Sequence, residues 1–235
     1  MTRTRGGSPG APGPPGAGGS TGPAGTVSPV GPAELAGLLA DRVLASPGLR
    51  LAVDGPVAAD AHALADDVAA ALAARAAPVA RVCADHFLRA RSLRLEHGRA
   101  DPDAFADGWY DLAALRREVL DPMEPGRAVR AWLPRLRDPA TDRPYREPAR
   151  EAVPATVVVL DGRFLARWEV ADAVDVRVHL EVSPAARGRR VPDDEQARVL
   201  PAWEQYLQWY DPAATAALVV RYDRPGHPAV RRRQG

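Results

Sequence analysis

One stretch, LAVDGPVAADAHALADDVAAALAAR at positions 51–75, constrains the fold more than any other. A short apolar run leads into a Gly-Pro turn, and the segment after it places Leu64, Val68 and Leu72 on one helical stripe. A strand that enters a helix through a glycine turn is the layout of a phosphate-binding loop. Ligands of open α/β sheets bind at the carboxyl ends of the strands, so the stretch also predicts where a site would lie.

Apolar patterning along the remaining chain extends this unit into a sheet. Strands that are separated by helices imply βαβ units and a parallel sheet. The continuous apolar run ATVVVLDG is typical of a central strand that is covered on both faces. Strands are predicted at 49–53, 78–84, 155–162, 174–182 and 216–223, and helices at 32–45, 61–75, 109–122 and 192–210.

The two ends of the chain differ in composition from the part between them. Of residues 1–32, 17 are Gly or Pro, and almost none is apolar, so burial cannot offset the entropy of ordering this segment. We therefore expect residues 1–31 to be a disordered tail and residues 32–230 to form one domain. Residues 231–235 are a short basic tail.

The composition argues against several classes of function. A net charge of +1 gives no general attraction for nucleic acid, and no run of 18 apolar residues is present to span a membrane. Cys83 is the only cysteine, so no disulfide can form within the chain, and we expect it to be a small buried residue. Without an apolar leader at the N-terminus, these features predict a cytoplasmic protein.

The residues that normally hold phosphate are missing from the loop. A phosphate-binding loop needs G-x-x-x-x-G-K-[ST], so that backbone N–H groups surround the phosphates, Lys reaches their oxygens and the hydroxyl binds Mg²⁺. In this chain Gly55 is retained, but Asp60 replaces the second Gly, Ala61 the Lys and His62 the hydroxyl residue. All 31 basic residues are Arg, which we attribute to GC-rich coding, so no lysine can substitute elsewhere.

Four ordered segments nevertheless carry a family resemblance. They are LAVDGPVAADAHALADDVAAAL, CADHFLRAR, DPDAFADGWYDLAALRREVLDPM and VVVLDGRFLAR. Together they resemble the bacterial uridine kinase family of P-loop nucleoside kinases, in particular its actinobacterial type. The resemblance covers residues 49–228 and implies an α/β, three-layer P-loop kinase fold with a parallel sheet.

The resemblance also implies roles for individual residues. Asp85 would be the base that takes the proton from the nucleoside 5′-hydroxyl, and Asp161 would lie near the metal. ATP and Mg²⁺ are the implied cofactors if the protein is active. The implied nucleoside-contacting residues are Phe87, Tyr110 and Asp111, and the implied lid arginines are Arg187, Arg189 and Arg190.

The substitutions in the loop all oppose phosphate transfer. Asp60 places a carboxylate where an anion should bind, and two like charges about 4 Å apart repel by about 4 kcal/mol at an effective dielectric near 20. Ala61 removes a cation, and His62 removes a metal-binding hydroxyl. Asp60 has an alternative role as a helix N-cap, and His62 as an exposed residue of the first turn.

Other candidate groups also have two interpretations. The three lid arginines could instead be a solvated run of charge. Asp54, Asp60, His62, Asp85 and Asp161 could converge at the strand ends and hold a divalent metal.

Three hypotheses for function follow. The first is a uridine-kinase-like pseudoenzyme with impaired ATP binding, which binds a nucleoside, a nucleotide or a protein partner without transferring phosphate. The second is an active uridine or cytidine kinase with a remodelled loop. The third is a non-enzymatic interaction scaffold that retains only the fold.

Overall fold

The computed structural model describes residues 27–126 and 131–231. Its main element is a seven-stranded sheet in the order β1-β9-β8-β7-β2-β6-β3, in which β3, β6, β2, β7 and β8 are parallel. A separate two-stranded pair is formed by β4 and β5. The strands are β1 Val27–Pro29, β2 Arg50–Asp54, β3 Val79–Cys83, β4 Ala131–Trp132, β5 Arg150–Glu151, β6 Val157–Gly162, β7 Val176–Glu181, β8 Leu218–Arg221 and β9 Ala229–Arg231.

Helices cover both faces of this sheet. α1 packs on α2, and α2 packs in turn on β2, β3 and β6. The helices are α1 Pro32–Leu44, α2 Ala61–Ala73, α3 Arg91–Arg94, α4 Leu112–Leu115, α5 Trp168–Ala171, α6 Pro184–Arg190, α7 Asp193–Tyr210 and α8 Pro212–Thr215. In the part of the chain described, no helix is both long and apolar enough to cross a membrane.

The burial of each strand matches its position in the sheet. Every residue of β2 and β6 is buried, which matches their apolar runs and their place between other strands and helices. β3 alternates between buried and partly exposed residues because it forms one edge of the sheet. The predicted α/β class with a layered, mostly parallel sheet is confirmed.

Two features, one at the edge of the sheet and one in a helix, differ from the sequence-based expectation. β1 pairs antiparallel with β9, so residues 27–29, which the sequence placed in the tail, belong to the sheet. The rest of that tail, residues 1–26, and the basic residues 232–235 lie outside the described residues. The helix expected at 109–122 is shorter, because α4 passes into a π-helical turn, Arg116–Leu120.

Candidate functional site

The carboxyl ends of β2, β3 and β6 open onto one cavity of about 400 Å³, which we call the strand-end cleft. Its walls include residues of the loop, the candidate base Asp85, the candidate metal residue Asp161, and Arg163. The lining residues are Gly55, Pro56, Val57, Asp60, Ala61, His62, Cys83, Asp85, His86, Pro139, Asp161, Gly162 and Arg163. Topology therefore brings the predicted loop, base and metal residues to one place.

The loop itself, residues 55–62, is held by backbone hydrogen bonds to β6 and within the loop. Gly55 N donates to the Gly162 carbonyl at 3.1 Å, which joins the loop to the end of β6. Val57–Ala59 forms a 3₁₀ turn in which Ala59 N donates to the Pro56 carbonyl at 2.9 Å. Ala59 is fully buried, so this backbone amide faces the protein interior and its own turn. These backbone contacts fix the shape of the loop.

Asp60 occupies the position between this turn and α2. Its backbone is left-handed, with φ +49° and ψ +53°, and its carboxylate accepts a hydrogen bond from Ala63 N at 3.3 Å. The side chain therefore acts as the N-cap of α2, the alternative that the sequence allowed. Since Asp60 also lines the strand-end cleft, its negative charge lies where a phosphate would approach the helix N-terminus.

Arg81, which sequence reasoning missed, forms an ion pair with Asp161, the residue that the resemblance places near the metal. One guanidinium nitrogen lies 2.5 Å from Asp161 Oδ1, and another lies 2.9 Å from His62 Nδ1. A third nitrogen donates to Asp66 Oδ1 at 2.7 Å. The detectable signal was the alternation of β3, which places Arg81 on the same face as Cys83 at the edge of the sheet.

Asp161 and Cys83 lie side by side at the base of the cleft. Asp161 is buried, and the Cys83 thiol donates to its second carboxylate oxygen at 3.5 Å. Burial, followed by the negative charges of Asp161 and Asp85, raises the pKa of the Cys83 thiol to about 12. Cys83 is partly buried and lines the cleft, so the expectation of a small buried residue is wrong.

These groups do not fit a magnesium ion. Mg²⁺ requires near-octahedral oxygen ligands, usually carboxylates, phosphates and water. At the loop position a hydroxyl is replaced by the His62 imidazole, a thiol lies beside Asp161, and Arg81 already neutralises that carboxylate. The loop also does not fit the phosphates of ATP, because it presents the Asp60 carboxylate and contains no lysine.

Asp85, the candidate base, is held by two partners on the other side of the cleft. Tyr110 donates its hydroxyl to Asp85 Oδ1 at 2.8 Å, and Arg163 contacts both carboxylate oxygens at 3.2 and 3.3 Å. Arg163 also contacts the Tyr110 hydroxyl. Burial is the main reason that the pKa of Tyr110 is well above its usual range. Arg163 was not predicted, although it lies two positions after Asp161 in the segment VVVLDGRFLAR.

The other expected nucleoside-contacting residues have structural partners. Phe87 is completely buried in the core, and its carbonyl accepts a hydrogen bond from Asp111 N at 2.8 Å. The Asp111 carboxylate caps α4 by accepting from Ala114 N at 2.9 Å. Of the three, only Tyr110 directly contacts the candidate base.

The three lid arginines are divided among different environments. Arg187 is buried, donates to the Val182 carbonyl at 2.7 Å and pairs with Glu204, so it is not part of a solvated run. Arg189 is exposed. Arg190 donates to the Ala58 carbonyl at 2.8 Å and therefore ties α6 to the loop.

Asp54 does not join the proposed five-residue metal set. It is fully buried below the loop, where its carboxylate accepts hydrogen bonds from Leu165 N at 3.0 Å and from the Tyr206 hydroxyl at 2.9 Å. His179 Nδ1 lies 2.8 Å from the same carboxylate. These contacts occupy both carboxylate oxygens of Asp54. The prediction that all five groups converge at the cleft is therefore wrong.

Solved structures show which known fold this arrangement shares. A possible uridine kinase from Bacillus stearothermophilus aligns with a TM-score of 0.64 at 18% identity, over 79% of this chain and 96% of that one. The YGR205w protein aligns at 0.57 and 11% identity, over 87% and 100%. A candidate fructose transport system kinase from Silicibacter sp. TM1040 aligns at 0.50 and 21% identity, over 77% and 91%.

The chain has a P-loop kinase fold. At these identities the likeness extends to the fold, and it confirms the architecture that the sequence resemblance implied. No family model matches the chain, and no curated protein matches it.

Proposed function

We propose that this protein is a uridine-kinase-like pseudoenzyme, which binds a nucleoside-type ligand in the strand-end cleft and does not transfer phosphate. The observation that carries the proposal is the contact of Arg81 with both Asp161 and His62. Arg81 is bound to the carboxylate that would hold the metal and to the residue at the hydroxyl position. Phosphoryl transfer depends on positioning and neutralising charge, and both requirements fail there.

The loop supports the same proposal independently. The Asp60 carboxylate caps α2 at the helix end that would otherwise attract an anion. No lysine is present to neutralise a transferred phosphoryl group, and Arg190 is bound to the Ala58 carbonyl on the other side of the loop. ATP should therefore bind weakly, with or without Mg²⁺.

The opposite wall of the cleft supports a retained nucleoside subsite. Asp85 and Arg163 both line the cavity and form an ion pair that is still partly exposed. They offer an acceptor and a donor to a ligand at one place, and the buried Tyr110 hydroxyl holds Asp85 in position behind them. This interpretation rests on the sequence resemblance for the identity of the ligand class and implies a cytoplasmic role.

Titration calorimetry with ATP, GTP, uridine and cytidine, with and without Mg²⁺, tests the proposal. We expect ATP·Mg²⁺ to bind more weakly than about 1 mM and uridine or cytidine to bind measurably, with no nucleoside phosphorylation. Asp85→Asn should weaken nucleoside binding at least about 10-fold. Asp67→Asn, an exposed charge change on α2, is the matched control.

A working kinase with a remodelled loop is the second candidate. The presence of Asp85, Asp161 and Arg163 around one cavity favours it. Micromolar affinity for ATP together with turnover by the purified protein would establish this alternative. If the folded protein binds none of the four ligands, the interaction-scaffold hypothesis replaces both.

A further inference from the structure

Three potential metal ligands meet at the base of the strand-end cleft. His62 is on the first turn of α2, Cys83 ends β3 and Asp161 is near the end of β6. One ligand atom from each lies within 4.8 Å of the other two. The shortest separations are 3.4 Å from His62 Nδ1 to Asp161 Oδ1 and 3.5 Å from Cys83 Sγ to Asp161 Oδ2.

The chemistry of this donor set selects a class of cation. An imidazole nitrogen, a thiolate sulfur and a carboxylate oxygen are all common ligands of Zn²⁺, whereas Mg²⁺ and Ca²⁺ require oxygen. Tetrahedral bonds of about 2.0–2.3 Å place ligand atoms about 3.3–3.8 Å apart. The separations of His62 and Cys83 from Asp161 both lie in this range, but they involve different oxygens of the carboxylate. Side-chain rotations that bring the His62 nitrogen and the Cys83 sulfur toward one metal position would complete the site.

Arg81 supplies positive charge to the same position. Its guanidinium contacts Asp161 Oδ1 and His62 Nδ1, two of the three prospective ligand atoms. It also pairs with Asp66 through a different nitrogen, at 2.7 Å. Arg81 can therefore release Asp161 and His62 and remain paired with Asp66 at the surface. A cation that replaces it would preserve the charge balance around the buried carboxylate.

We propose that His62, Cys83 and Asp161 form a binding site for a thiophilic divalent cation of the Zn²⁺ class, in competition with Arg81. On binding, the Cys83 thiol transfers its proton to solvent and its sulfur bonds to the metal. Three protein ligands would leave the fourth tetrahedral position for water or another ligand. The inference goes beyond the proposed function, because metal binding here requires neither ATP nor a nucleoside.

Cobalt titration of the full-length protein without a polyhistidine tag tests the site. Co²⁺ replaces Zn²⁺ in such sites, and Co²⁺–thiolate charge-transfer absorption would report on Cys83 alone, the only cysteine in the chain. We expect a saturable band with one Co²⁺ per chain, which Zn²⁺ removes by competition. A folded parent protein that gives no such band overturns the proposal.

Variants distinguish this site from a lone cysteine. Cys83→Ser should abolish the band, and His62→Ala and Asp161→Asn should each weaken metal affinity at least about 10-fold. His97→Ala, at an exposed histidine outside the cleft, should match the parent. Circular dichroism confirms folding. Parent-like affinity in folded His62→Ala or Asp161→Asn would reduce the site to a thiol and overturn the proposal.

Arg81 provides a gain-of-function test that does not depend on loss of a ligand. Arg81→Gln removes the competing cation, so Co²⁺ and Zn²⁺ affinity should rise by about 10-fold or more. A purely structural Arg81 would produce an unchanged or lower affinity in the folded variant, which would contradict the competition.

Discussion

His179 Nδ1 lies 2.8 Å from a carboxylate oxygen of Asp54, and both side chains are buried beneath the phosphate-loop segment. The same carboxylate accepts hydrogen bonds from Leu165 N and from the Tyr206 hydroxyl. One side chain at the end of β2 therefore connects β7, α7 and the turn that follows β6. This network is buried, and none of these four residues lines the strand-end cleft.

Replacing Asp54 should be among the most damaging single changes in the protein. Asp54→Ala leaves His179, the Leu165 amide and the Tyr206 hydroxyl buried without their acceptor, and should lower the free energy of unfolding by about 3–5 kcal/mol. Asp41→Ala removes an ion pair with Arg75 from a 68% exposed side chain and should cost less than about 1 kcal/mol. Urea unfolding measures both, and equal losses would contradict the buried role.

The same network predicts how stability depends on alkaline pH. Burial, followed by the charge of Asp54, raises the pKa of Tyr206 well above its usual range. Below about pH 10 the tyrosine is protonated in both the folded and unfolded states, and its contribution is fully present. As the pH rises further, the unfolded chain loses this proton first, so stability falls by up to about 1.4 kcal/mol per pH unit for this group.

Tyr206→Phe should remove that part of the alkaline slope. The variant should be less stable at neutral pH by about 1–3 kcal/mol, because Asp54 and the Ala166 amide lose a partner. Its free energy of unfolding should then decline less steeply between about pH 10 and pH 11.5 than that of the parent. Denaturant unfolding at several pH values checks this, and parallel curves would exclude the contribution of Tyr206.

Two small replacements of Asp60 should destabilise the protein to different extents. Asp60→Ala loses the cap and keeps a left-handed backbone that Ala disfavours, so we expect a loss of about 1–2 kcal/mol. Asp60→Gly also loses the side-chain cap, but Gly adopts a positive φ without strain, so the loss should be only a few tenths of a kcal/mol. Thermal unfolding of the pair measures the difference. A Gly variant that is less stable than the Ala variant would contradict the left-handed geometry.

Restoring the loop tests whether the site has changed only there. Asp60→Gly, Ala61→Lys and His62→Thr together would remove the repulsive charge, add a cation and restore a metal-binding hydroxyl. The Thr replacement also removes one of the two cleft contacts of Arg81. We expect ATP affinity to improve at least about 10-fold over the parent, with binding returning before turnover.

The control for this triple variant is Asp60→Gly alone, which should recover only part of the binding because it removes repulsion without adding a cation. Calorimetry gives the affinities, and circular dichroism confirms that each variant is folded. A folded triple variant that still does not bind ATP would show that the site has diverged beyond the loop and would favour the scaffold hypothesis.

Two deletions locate the start of the domain. Removing residues 1–26 should leave the thermal midpoint within about 2 °C of the parent, because that composition offers almost nothing to pack. Removing residues 1–30 also deletes β1 and its pairing with β9, and should lower the midpoint by about 2–8 °C. Differential scanning calorimetry of both proteins makes the comparison. Equal midpoints would show that β1 contributes nothing to stability.

Sequence patterns predicted the central architecture because the signals there are local and strong. The buried runs of β2 and β6 and the helical stripe of α2 follow from apolar periodicity, which is visible in one segment at a time. The short strands β1 and β9 were missed because three residues carry too little periodicity and their pairing joins opposite ends of the chain. The changed loop positions at Asp60, Ala61 and His62 were also evident in the sequence alone.

Tertiary structure decided which charged groups meet. Arg81 contacts Asp161 across 80 positions of chain, and Asp54 meets His179 across 125, so no local pattern could pair them. Strand order determined both contacts, because β3 lies beside β6 and β7 beside β2. Side-chain chemistry thus indicated what the cleft lacks, whereas the packing of parallel strands determined which arginine, thiol and imidazole occupy it.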